Sequence, residues 1–360
     1  MLSLRNITLT HYKNYLQESF SFDKPIIGIY GNNGVGKTNL LDAIYYLSFT
    51  RSYFFKSDIQ NVHHGKSGFR IEGNFQTEEN DQNVVCILRE TGKKEVLLND
   101  EIYPRLSGHI GKFPCVIITP DDARIITEGS DERRRYTDAL LCQMDALYLQ
   151  HLIEYNRLLQ QRNQLLRSLA ERISTDRSLL DVYDAQLQRP GTYIFVKRQH
   201  FFREILSSIE SIYRYIAGSD DGLQLSYQSD LLLAPYAELL YKSREKDLML
   251  QRTHVGIHRD DIDIRLRGQQ FKNIASQGQR KSLLFSMKLA EYDMLKITKG
   301  FPPIILLDDV FEKLDAGRMH QLLERVCADG NGQLFITDTH KERIQEHLEK
   351  LSADYSLIGL

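Results

Sequence analysis

The sequence has few of the features that mark secreted or zinc-binding proteins. Its 360 residues contain only four cysteines, and no two of them form a CxxC pair. The four are Cys86, Cys115, Cys142 and Cys327. This scatter argues against a structural zinc site or a disulfide framework and fits a reducing cytoplasm. His254 and His258 have i,i+4 spacing, but no Glu follows His254 as in a zinc-protease helix, so we favour no metal role for them.

Long apolar runs are also missing. The longest, such as PIIGIY at 25–30 and PPIILL at 302–307, are far too short to cross a bilayer. The N-terminal sequence MLSLRNITLT lacks the apolar core of a signal peptide. We therefore expect a soluble cytoplasmic protein with no membrane partner.

The chain has almost no excess of charge of either sign. Its net charge is −2 and its pI is about 6.6, so the molecule as a whole does not attract nucleic acid. Any DNA binding would require a local basic patch. A hydrophobic content of 42% and a charged content of 26% are ordinary for a globular protein, and the length allows two domains.

The pattern along the chain changes from strands to helices and back to strands. Short β-prone runs fill residues 1–120, interrupted by one helix from Thr38 to Phe49, and strands return near the C-terminus. We predict one α/β domain made of residues 1–120 and 252–360. Residues 121–251 form a helical insertion, either an antiparallel hairpin or an ordinary helical bundle.

Two apolar stripes mark the helices of this insertion, and we expect a break between them at QRPGT, residues 188–192. The first stripe steps by four and three through Met144, Tyr148, Leu152, Tyr155, Leu159, Arg162, Leu166 and Leu169. The second contains Phe201, Ile205, Ile209, Ile212 and Ile216. Arginines recur every five residues in the first helix. This spacing winds them around the helix, so we favour a solvated surface over the alternative, a DNA-binding stripe. The arginines are Arg157, Arg162, Arg167, Arg172 and Arg177.

A phosphate-binding loop is the clearest motif. GNNGVGKT matches G-x4-GK[ST], follows the apolar run PIIGIY and opens a helix. It comprises Gly31, Asn32, Asn33, Gly34, Val35, Gly36, Lys37 and Thr38. Glycine lets the backbone curl so that its N–H groups point at an anion beside a helix N-terminus. We expect Lys37 to reach the β- and γ-phosphates of ATP and the Thr38 hydroxyl to bind Mg²⁺.

A second apolar run, PPIILLDDVFEKLD, ends in two carboxylates. Beside a phosphate loop, Asp308 is expected to bind Mg²⁺ and Asp309 to orient or deprotonate the attacking water. A buried strand that meets solvent at an acidic end is the alternative interpretation, which the phosphate loop disfavours.

The stretch SQGQRKSLLFSMKLAE starts a helix with a Ser-Gln-Gly-Gln cluster 32 residues before Asp308. The cluster consists of Ser276, Gln277, Gly278 and Gln279. This chain resembles ATP-binding-cassette ATPases. In those proteins a phosphate loop, a serine-glycine helix start and an acidic strand follow one another in the same order along the sequence. The resemblance implies that the cluster binds the γ-phosphate of ATP held by a second copy of the chain. A plain helix cap would explain the serine but not the Gln-Gly-Gln.

Further strings narrow the resemblance to the RecF family of SMC-like ATPases. They include LTHYKNY, ITPDDARIITEGSDERRRYTDALL, EYNRLLQQRN, HVGIHRDD and ILLDDVFEKLD, and they span most of the chain. Asp315 matches the family's D-loop, and His340 matches a switch residue near the γ-phosphate. Lys13 stands where the family usually has Arg, which keeps the charge for a nucleotide contact but loses the bidentate fork.

The resemblance implies a P-loop ATPase head of mixed sheets and flanking helices with an inserted helical domain. It also implies weak ATP hydrolysis that resets a molecular switch, and ATP-dependent formation of a homodimer. The ligands would be duplex DNA and junctions of single- and double-stranded DNA. The partners would be RecO and RecR, with RecA loading at gaps and replication restart as the outcome.

Local basic residues are candidates for DNA contact, although each could equally be an ion-pair partner. They are Arg51, Lys56, Lys66, Arg133, Arg134 and Arg135.

Two other functions share the ATPase motifs. A nucleotide-binding subunit of a membrane importer is disfavoured by the large insertion and by SQGQ in place of Leu-Ser-Gly-Gly. An effector ATPase of a defence system is disfavoured because no nuclease-like cluster is visible.

Overall fold

The computed structural model describes residues 2–77, 80–171, 177–310, 316–327, 332–351 and 353–360. It divides into two compact units. The first unit consists of Met1–Ala123 and Gln277–Leu360, and the second unit consists of Arg124–Ser276.

Fourteen strands and ten α-helices are described. The strands are β1 (Ser3–Tyr12), β2 (Tyr15–Ser21), β3 (Ile26–Tyr30), β4 (Phe69–Gln76), β5 (Asp81–Leu88), β6 (Lys94–Leu98), β7 (Glu101–Ile102), β8 (Cys115–Ile118), β9 (Leu223–Gln228), β10 (Asp261–Leu266), β11 (Gln269–Gln270), β12 (Ile304–Leu307), β13 (Leu334–Asp338) and β14 (Tyr355–Gly359). The helices are α1 (Lys37–Phe49), α2 (Arg124–Thr127), α3 (Ser130–Met144), α4 (Ala146–Ala170), α5 (Ser178–Ala217), α6 (Tyr236–Leu250), α7 (Phe271–Ile274), α8 (Gln277–Lys299), α9 (Ala316–Cys327) and α10 (Lys341–Lys350). Among the described residues, no helix combines the length and the apolar character that a bilayer crossing requires.

A five-stranded parallel sheet is the centre of the first unit. Its order is β14-β3-β13-β12-β8, and β8, β12 and β13 are wholly buried. Such near-continuous apolar strands are typical of a parallel sheet covered on both faces. Because all five strands run the same way, the residues that follow them meet at one edge. Ligands of open α/β sheets bind at this carboxyl edge.

A six-stranded antiparallel sheet, in the order β2-β1-β4-β5-β6-β7, packs into the same apolar core. The turn between β6 and β7 consists of Asn99 and Asp100, residue types that favour tight turns. Asn99 has φ 50° and Asp100 has φ 67°, as a two-residue hairpin turn of the primed type requires.

One buried glutamine joins the two sheets of the first unit. The Gln333 side chain accepts a hydrogen bond from the Leu4 amide at 2.6 Å and donates one to the Leu4 carbonyl at 2.9 Å. Phe22 packs edge-on against Phe335 nearby, with ring centroids 4.8 Å apart. The N-terminal strand β1 is thereby fixed to β13, the middle strand of the parallel sheet.

Asp42, which is fully buried on α1, is a polar anchor of the first unit. Its carboxylate pairs with the Lys13 ammonium at 2.6 Å. It also accepts hydrogen bonds of 2.7 Å from the Tyr12 hydroxyl, the Ser52 hydroxyl and the Tyr53 amide. A buried carboxylate with this many donors is compensated for its loss of water. The turn between β1 and β2 and the segment after α1 are therefore both tied to the helix that follows the phosphate loop.

In the second unit, α4 and α5 run antiparallel. Tyr148 near the start of α4 contacts Arg198 in the middle of α5, whereas Arg162, further along α4, contacts Asp184 near the start of α5. The second stripe, predicted from the sequence, is buried throughout, from Phe201 to Ile216.

The expected break at QRPGT is wrong, because α5 continues through Pro190. The buried residues Leu187 and Ile194 flank this site, so one buried face, mostly apolar, runs along the whole helix. Gly191 permits close packing there, since a Cβ at this position would lie 2.5 Å from the Tyr236 ring. Packing on this face offsets the hydrogen bond that proline cannot make.

The expectation of a solvated arginine surface on α4 is also wrong for Arg162. Its side chain is fully buried and donates 2.7 Å hydrogen bonds to Asp184, Asp247 and Thr253. All three partners come from other segments of the chain, so the spacing of the arginines could not reveal them. Arg172 lies outside the described residues.

The second unit extends to Ser276, 25 residues beyond the predicted end of the insertion at 251. The reason is strand pairing: β10 pairs with β9 along six residues, and β11 completes a three-stranded antiparallel sheet. The unit is therefore a mixture of helices and a small sheet. Strand β10 follows the predicted boundary in sequence, but its partner β9 precedes it.

Replacing Asp42 by Ala tests the buried anchor. The variant leaves the Lys13 ammonium buried without its partner, and we expect the free energy of unfolding to fall by about 3 kcal/mol or more. Urea unfolding followed by circular dichroism measures this change. The control is Asp23→Ala at an exposed position, expected to change stability by less than about 0.5 kcal/mol. An Asp42→Ala effect as small as the control's would contradict the anchoring role.

Candidate functional site

The phosphate loop lies between β3 and α1, at the carboxyl edge of the parallel sheet. Gly34 has φ 85° and Gly36 has φ 121°, conformations that favour glycine. The side chain of Lys37 is buried, and its ammonium donates to the carbonyl oxygens of Gly31 at 2.8 Å and Asn32 at 3.1 Å. The structure thus folds the predicted loop around its lysine.

Two residues that sequence reasoning did not assign support this loop. The Asn14 side-chain amide donates to the Val35 carbonyl at 2.8 Å, and the Tyr15 hydroxyl donates to the Gly36 carbonyl at 3.0 Å. A Cβ on Gly36 would lie 2.6 Å from Asn14 and 2.8 Å from Tyr15, so this contact also requires glycine. Both residues belong to the string YKNY, whose residue types alone do not show that they support the loop.

That lysine, Lys13, is engaged elsewhere in this structure. Its ammonium pairs with Asp42, and only 7% of its side chain is exposed. The rings of Phe54 and Phe55 lie over the same ammonium at 5.2 and 5.0 Å. The nucleotide contact of Lys13 stays a prediction.

The structure brings the phosphate loop and the acidic strand together. The Thr38 hydroxyl lies 3.0 Å from each carboxylate oxygen of Asp308, although the two residues are 270 positions apart. They meet because only β13 separates β3 from β12 in the sheet. The Thr337 hydroxyl of β13 also donates to Asp308, at 3.0 Å.

This pair has the chemistry of a magnesium site. A threonine hydroxyl and a carboxylate are hard oxygen donors, and Mg²⁺ is commonly held by one or two such groups together with substrate phosphates. Thr38 and Asp308 therefore fit the predicted ion. Among the described residues there is no group of three or more His, Cys, Asp or Glu side chains that could hold a metal by themselves.

The electrostatics of Asp308 suit a cation. Burial raises the pKa of its carboxyl to about 6, and the nearby Asp309 carboxylate also raises it. Hydrogen bonds from Thr337 and Thr38 and the charge of Lys37 act in the opposite direction. A carboxylate that has lost its water in this way is stabilised by an adjacent positive ion.

Asp309 has an unusual backbone conformation. Its φ is 45°, in the left-handed region that non-glycine residues seldom adopt, and its amide donates to the Thr337 hydroxyl at 3.0 Å. The side chain is partly exposed at the sheet edge, unlike the buried Asp308. Strained residues of this kind cluster at active sites.

The predicted signature lies at the start of a helix, as expected. Ser276 is exposed immediately before α8, and Gly278 and Gln279 are in the first turn. Further along α8, Lys288 is buried 3.4 Å from Glu291 and 4.0 Å from Asp122. Contact of the signature with a second copy stays a prediction.

Of the two remaining ATP-site residues, only one can be placed. His340 follows β13 at the same edge of the sheet, is exposed, and donates from its amide to the buried Asp338 at 2.7 Å. The D-loop residue Asp315 lies outside the described residues.

The six basic candidates fall into two groups. Arg133 pairs with both oxygens of Asp261, at 2.6 and 3.0 Å. Arg134 and Arg135 pair with Asp131 and Glu132 one helical turn before them. The other group is exposed on the segment after α1 and consists of Arg51, Lys56 and Lys66.

The two histidines considered for metal binding are occupied by neighbouring groups. His254 pairs with Asp247 through Nδ1. His258 contacts the Tyr155 hydroxyl at 2.8 Å through Nδ1 and the Thr253 carbonyl at 3.1 Å through Nε2. Burial lowers the pKa of His258 to about 4, which keeps the ring neutral.

Comparison with known protein families shows to which family this chain belongs. Residues 3–356 match the model of the RecF/RecN/SMC N-terminal domain family. The chain belongs to this family.

Within the family, the most similar relatives include DNA replication and repair protein RecF of Flavobacterium johnsoniae, 38% identical over 359 residues that cover 100% of both chains. The protein of the same name from Bacteroides thetaiotaomicron is 38% identical over 98% of this chain and 95% of its own. The resemblance to RecF is therefore confirmed over the full length.

Solved structures agree. The recombination mediator protein RecF with ATP is 29% identical, has a TM-score of 0.87, and covers 94% of this chain and 92% of that one. The Smc head domain of Pyrococcus furiosus is 15% identical, with a TM-score of 0.55 over 100% of this chain and 93% of that one, and shows the fold alone. The predicted fold class, an ATP-binding-cassette head of mixed sheets and helices, is confirmed.

Asp308→Asn tests the electrostatics of the site in the absence of nucleotide. A folded-state pKa near 6, against an ordinary 3.8, makes ionisation of Asp308 costly to the fold. This cost is absent below pH 3.8, grows as the pH rises to 6, and reaches about 3 kcal/mol above that. Asn keeps the acceptor oxygen without the charge. We expect Asp308→Asn to raise the free energy of unfolding by about 1–3 kcal/mol at pH 7.5 and by about half as much at pH 5.

Urea unfolding at the two pH values, in the presence of a chelator, measures this difference. Asp23→Asn, at an exposed position, serves as the control and should show no pH-dependent gain. The prediction is contradicted if Asp308→Asn raises the free energy of unfolding equally at both pH values, or lowers it at pH 7.5. Either result would show that burial does not disfavour the ionised carboxylate.

Proposed function

We propose that this protein is an ATP-dependent DNA-binding switch of recombinational repair and replication restart. Each chain binds one ATP with Mg²⁺ at the carboxyl edge of the parallel sheet. Weak hydrolysis of ATP to ADP and phosphate resets the switch. The observation that carries this proposal is the Thr38 hydroxyl 3.0 Å from both oxygens of Asp308, at the end of a phosphate loop.

Different residues of the site bind the phosphates, hold the metal ion and orient the attacking water. The loop amides and Lys37 bind the phosphates, as the N-terminus of α1 favours. Thr38 and Asp308 hold Mg²⁺, which when bound neutralises charge on the phosphate oxygens. Asp309, partly exposed beside them, orients the attacking water and accepts its proton.

The signature provides the second half of a composite site. Ser276, exposed at the start of α8, offers a hydroxyl, and Gly278 lets the helix backbone come close to an anion. We infer that this end of α8 binds the γ-phosphate of ATP held by a second copy. ATP then holds two chains together as a homodimer, and hydrolysis releases them.

Duplex DNA and junctions of single- and double-stranded DNA are the proposed ligands of the closed dimer. RecO and RecR are the proposed partners, and RecA loading at gaps is the proposed outcome. The names of the relatives and the RecFOR pathway of the ATP-bound structure support this assignment. For the DNA contact we favour the exposed Arg51, Lys56 and Lys66, because Arg133 to Arg135 are neutralised by carboxylates.

Duplex-DNA binding, followed by fluorescence anisotropy with ATP, with ADP and without nucleotide, tests the proposal. Wild type is compared with Ser276→Arg, which places a bulky cation at the signature and leaves the phosphate loop intact. We expect ATP to tighten DNA binding at least about tenfold, and Ser276→Arg to abolish that gain. Ser207→Arg, an exposed serine of α5, is the control and should retain it.

The outcomes separate the parts of the proposal. Tight DNA binding that is unaffected by nucleotide and by Ser276→Arg would place the DNA site within one chain. It would contradict a switch that depends on ATP. Absence of DNA binding in every nucleotide state would contradict DNA as the ligand.

A further inference from the structure

One buried hydroxyl at the ATP site has no role so far. Thr337 is fully buried near the carboxyl end of β13. In the sheet, β13 lies between β3, which leads into the phosphate loop, and β12, which leads into the acidic pair. Thr337 therefore lies between the strand that leads into the phosphate loop and the strand that leads into the acidic pair, although it belongs to neither motif.

The Thr337 hydroxyl contacts both acidic residues. It donates to Asp308 Oδ1 at 3.0 Å and accepts from the Asp309 amide at 3.0 Å. A hydroxyl has one proton and two lone pairs, so it can make both bonds at once. The Leu307 carbonyl, 3.5 Å away, is the only other acceptor described near it and is at the limit of hydrogen-bond distance.

The two hydrogen bonds of Thr337 constrain different groups, the Asp308 carboxylate and the Asp309 backbone. The first holds one oxygen of Asp308, whose carboxylate also faces the Thr38 hydroxyl. The second fixes the peptide before Asp309, whose φ of 45° is a conformation that persists only when its surroundings enforce it. Loss of the hydroxyl would free the Asp308 carboxylate to rotate and the Asp309 backbone to relax.

We propose that Thr337 is a positioning residue for ATP hydrolysis, whose single hydroxyl aligns the metal-binding carboxylate of Asp308 and the water-orienting carboxylate of Asp309. The inference rests on the proposed function of the site. Thr337 acts through the two aspartates that its hydroxyl contacts. An ordinary structural threonine would need only its methyl group and its shape.

Thr337→Val separates these two roles, because it keeps the shape and removes the hydroxyl. We expect its kcat for ATP hydrolysis to fall about 10- to 100-fold, the loss typical of a displaced catalytic group. The Mg²⁺ concentration for half-maximal binding of a fluorescent ATP analogue should rise at least about fivefold, while binding without Mg²⁺ stays within about twofold. Thr337→Ser restores the hydroxyl and should recover both values to within about threefold of wild type.

A neighbouring threonine provides the matched control. Thr119 is buried just after β8, on the other side of β12, and its hydroxyl has no hydrogen-bond partner among the described residues. Thr119→Val should therefore match wild type in kcat and in Mg²⁺ requirement. If Thr337→Val does not fold, as judged by circular dichroism, Thr337→Ala is the second hydroxyl-free variant.

Two results would overturn the inference: a Thr337→Val enzyme within twofold of wild type in both readouts, or a Thr337→Ser enzyme as impaired as Thr337→Val. A wild type that does not bind the ATP analogue would contradict the proposed function itself. The two failures are thus distinguishable in one set of measurements.

Discussion

The contact between the Thr38 hydroxyl and the Asp308 carboxylate is the interaction on which the functional part of this molecule depends. It joins residues 270 positions apart, and it exists only because β3, β13 and β12 are parallel neighbours. Parallel pairing brings the ends of these strands to one edge, where a helix N-terminus and two carboxylates meet. The antiparallel sheet and the flanking helices serve to hold that edge in place.

Buried polar contacts extend from this edge into the surrounding helices. Asp42 of α1 binds the Tyr53 amide, and the Tyr53 hydroxyl binds Asp122, which lies 4.0 Å from Lys288 of α8. Burial raises the pKa of Tyr53 well above its usual value, so it remains a hydroxyl donor. The helix of the phosphate loop and the helix of the signature are thereby connected through a chain of buried polar groups. Such networks favour one arrangement over alternatives.

The sequence predicts what is local and misses what is assembled from distant segments. The phosphate loop, the acidic strand and the Asn99-Asp100 turn are contiguous strings whose chemistry is readable without a structure. Thr337, like Asn14 and Tyr15, acquires its role only from the order of strands and the packing of the loop. Conversely, α5 continues through Pro190 despite the proline signal, because packing of its continuous buried face outweighs one missing hydrogen bond.

The most direct test of the central claim is calorimetric titration of ATP into the protein with Mg²⁺ and with a chelator, for wild type and Thr38→Val. If Thr38 and Asp308 hold the ion that bridges to the nucleotide, wild type binds one ATP per chain and loses at least about tenfold in affinity without Mg²⁺. Thr38→Val should bind weakly whether Mg²⁺ is present or not. Equal affinity of wild type in both conditions, or a Thr38→Val variant that responds to Mg²⁺ as wild type does, would contradict the magnesium site.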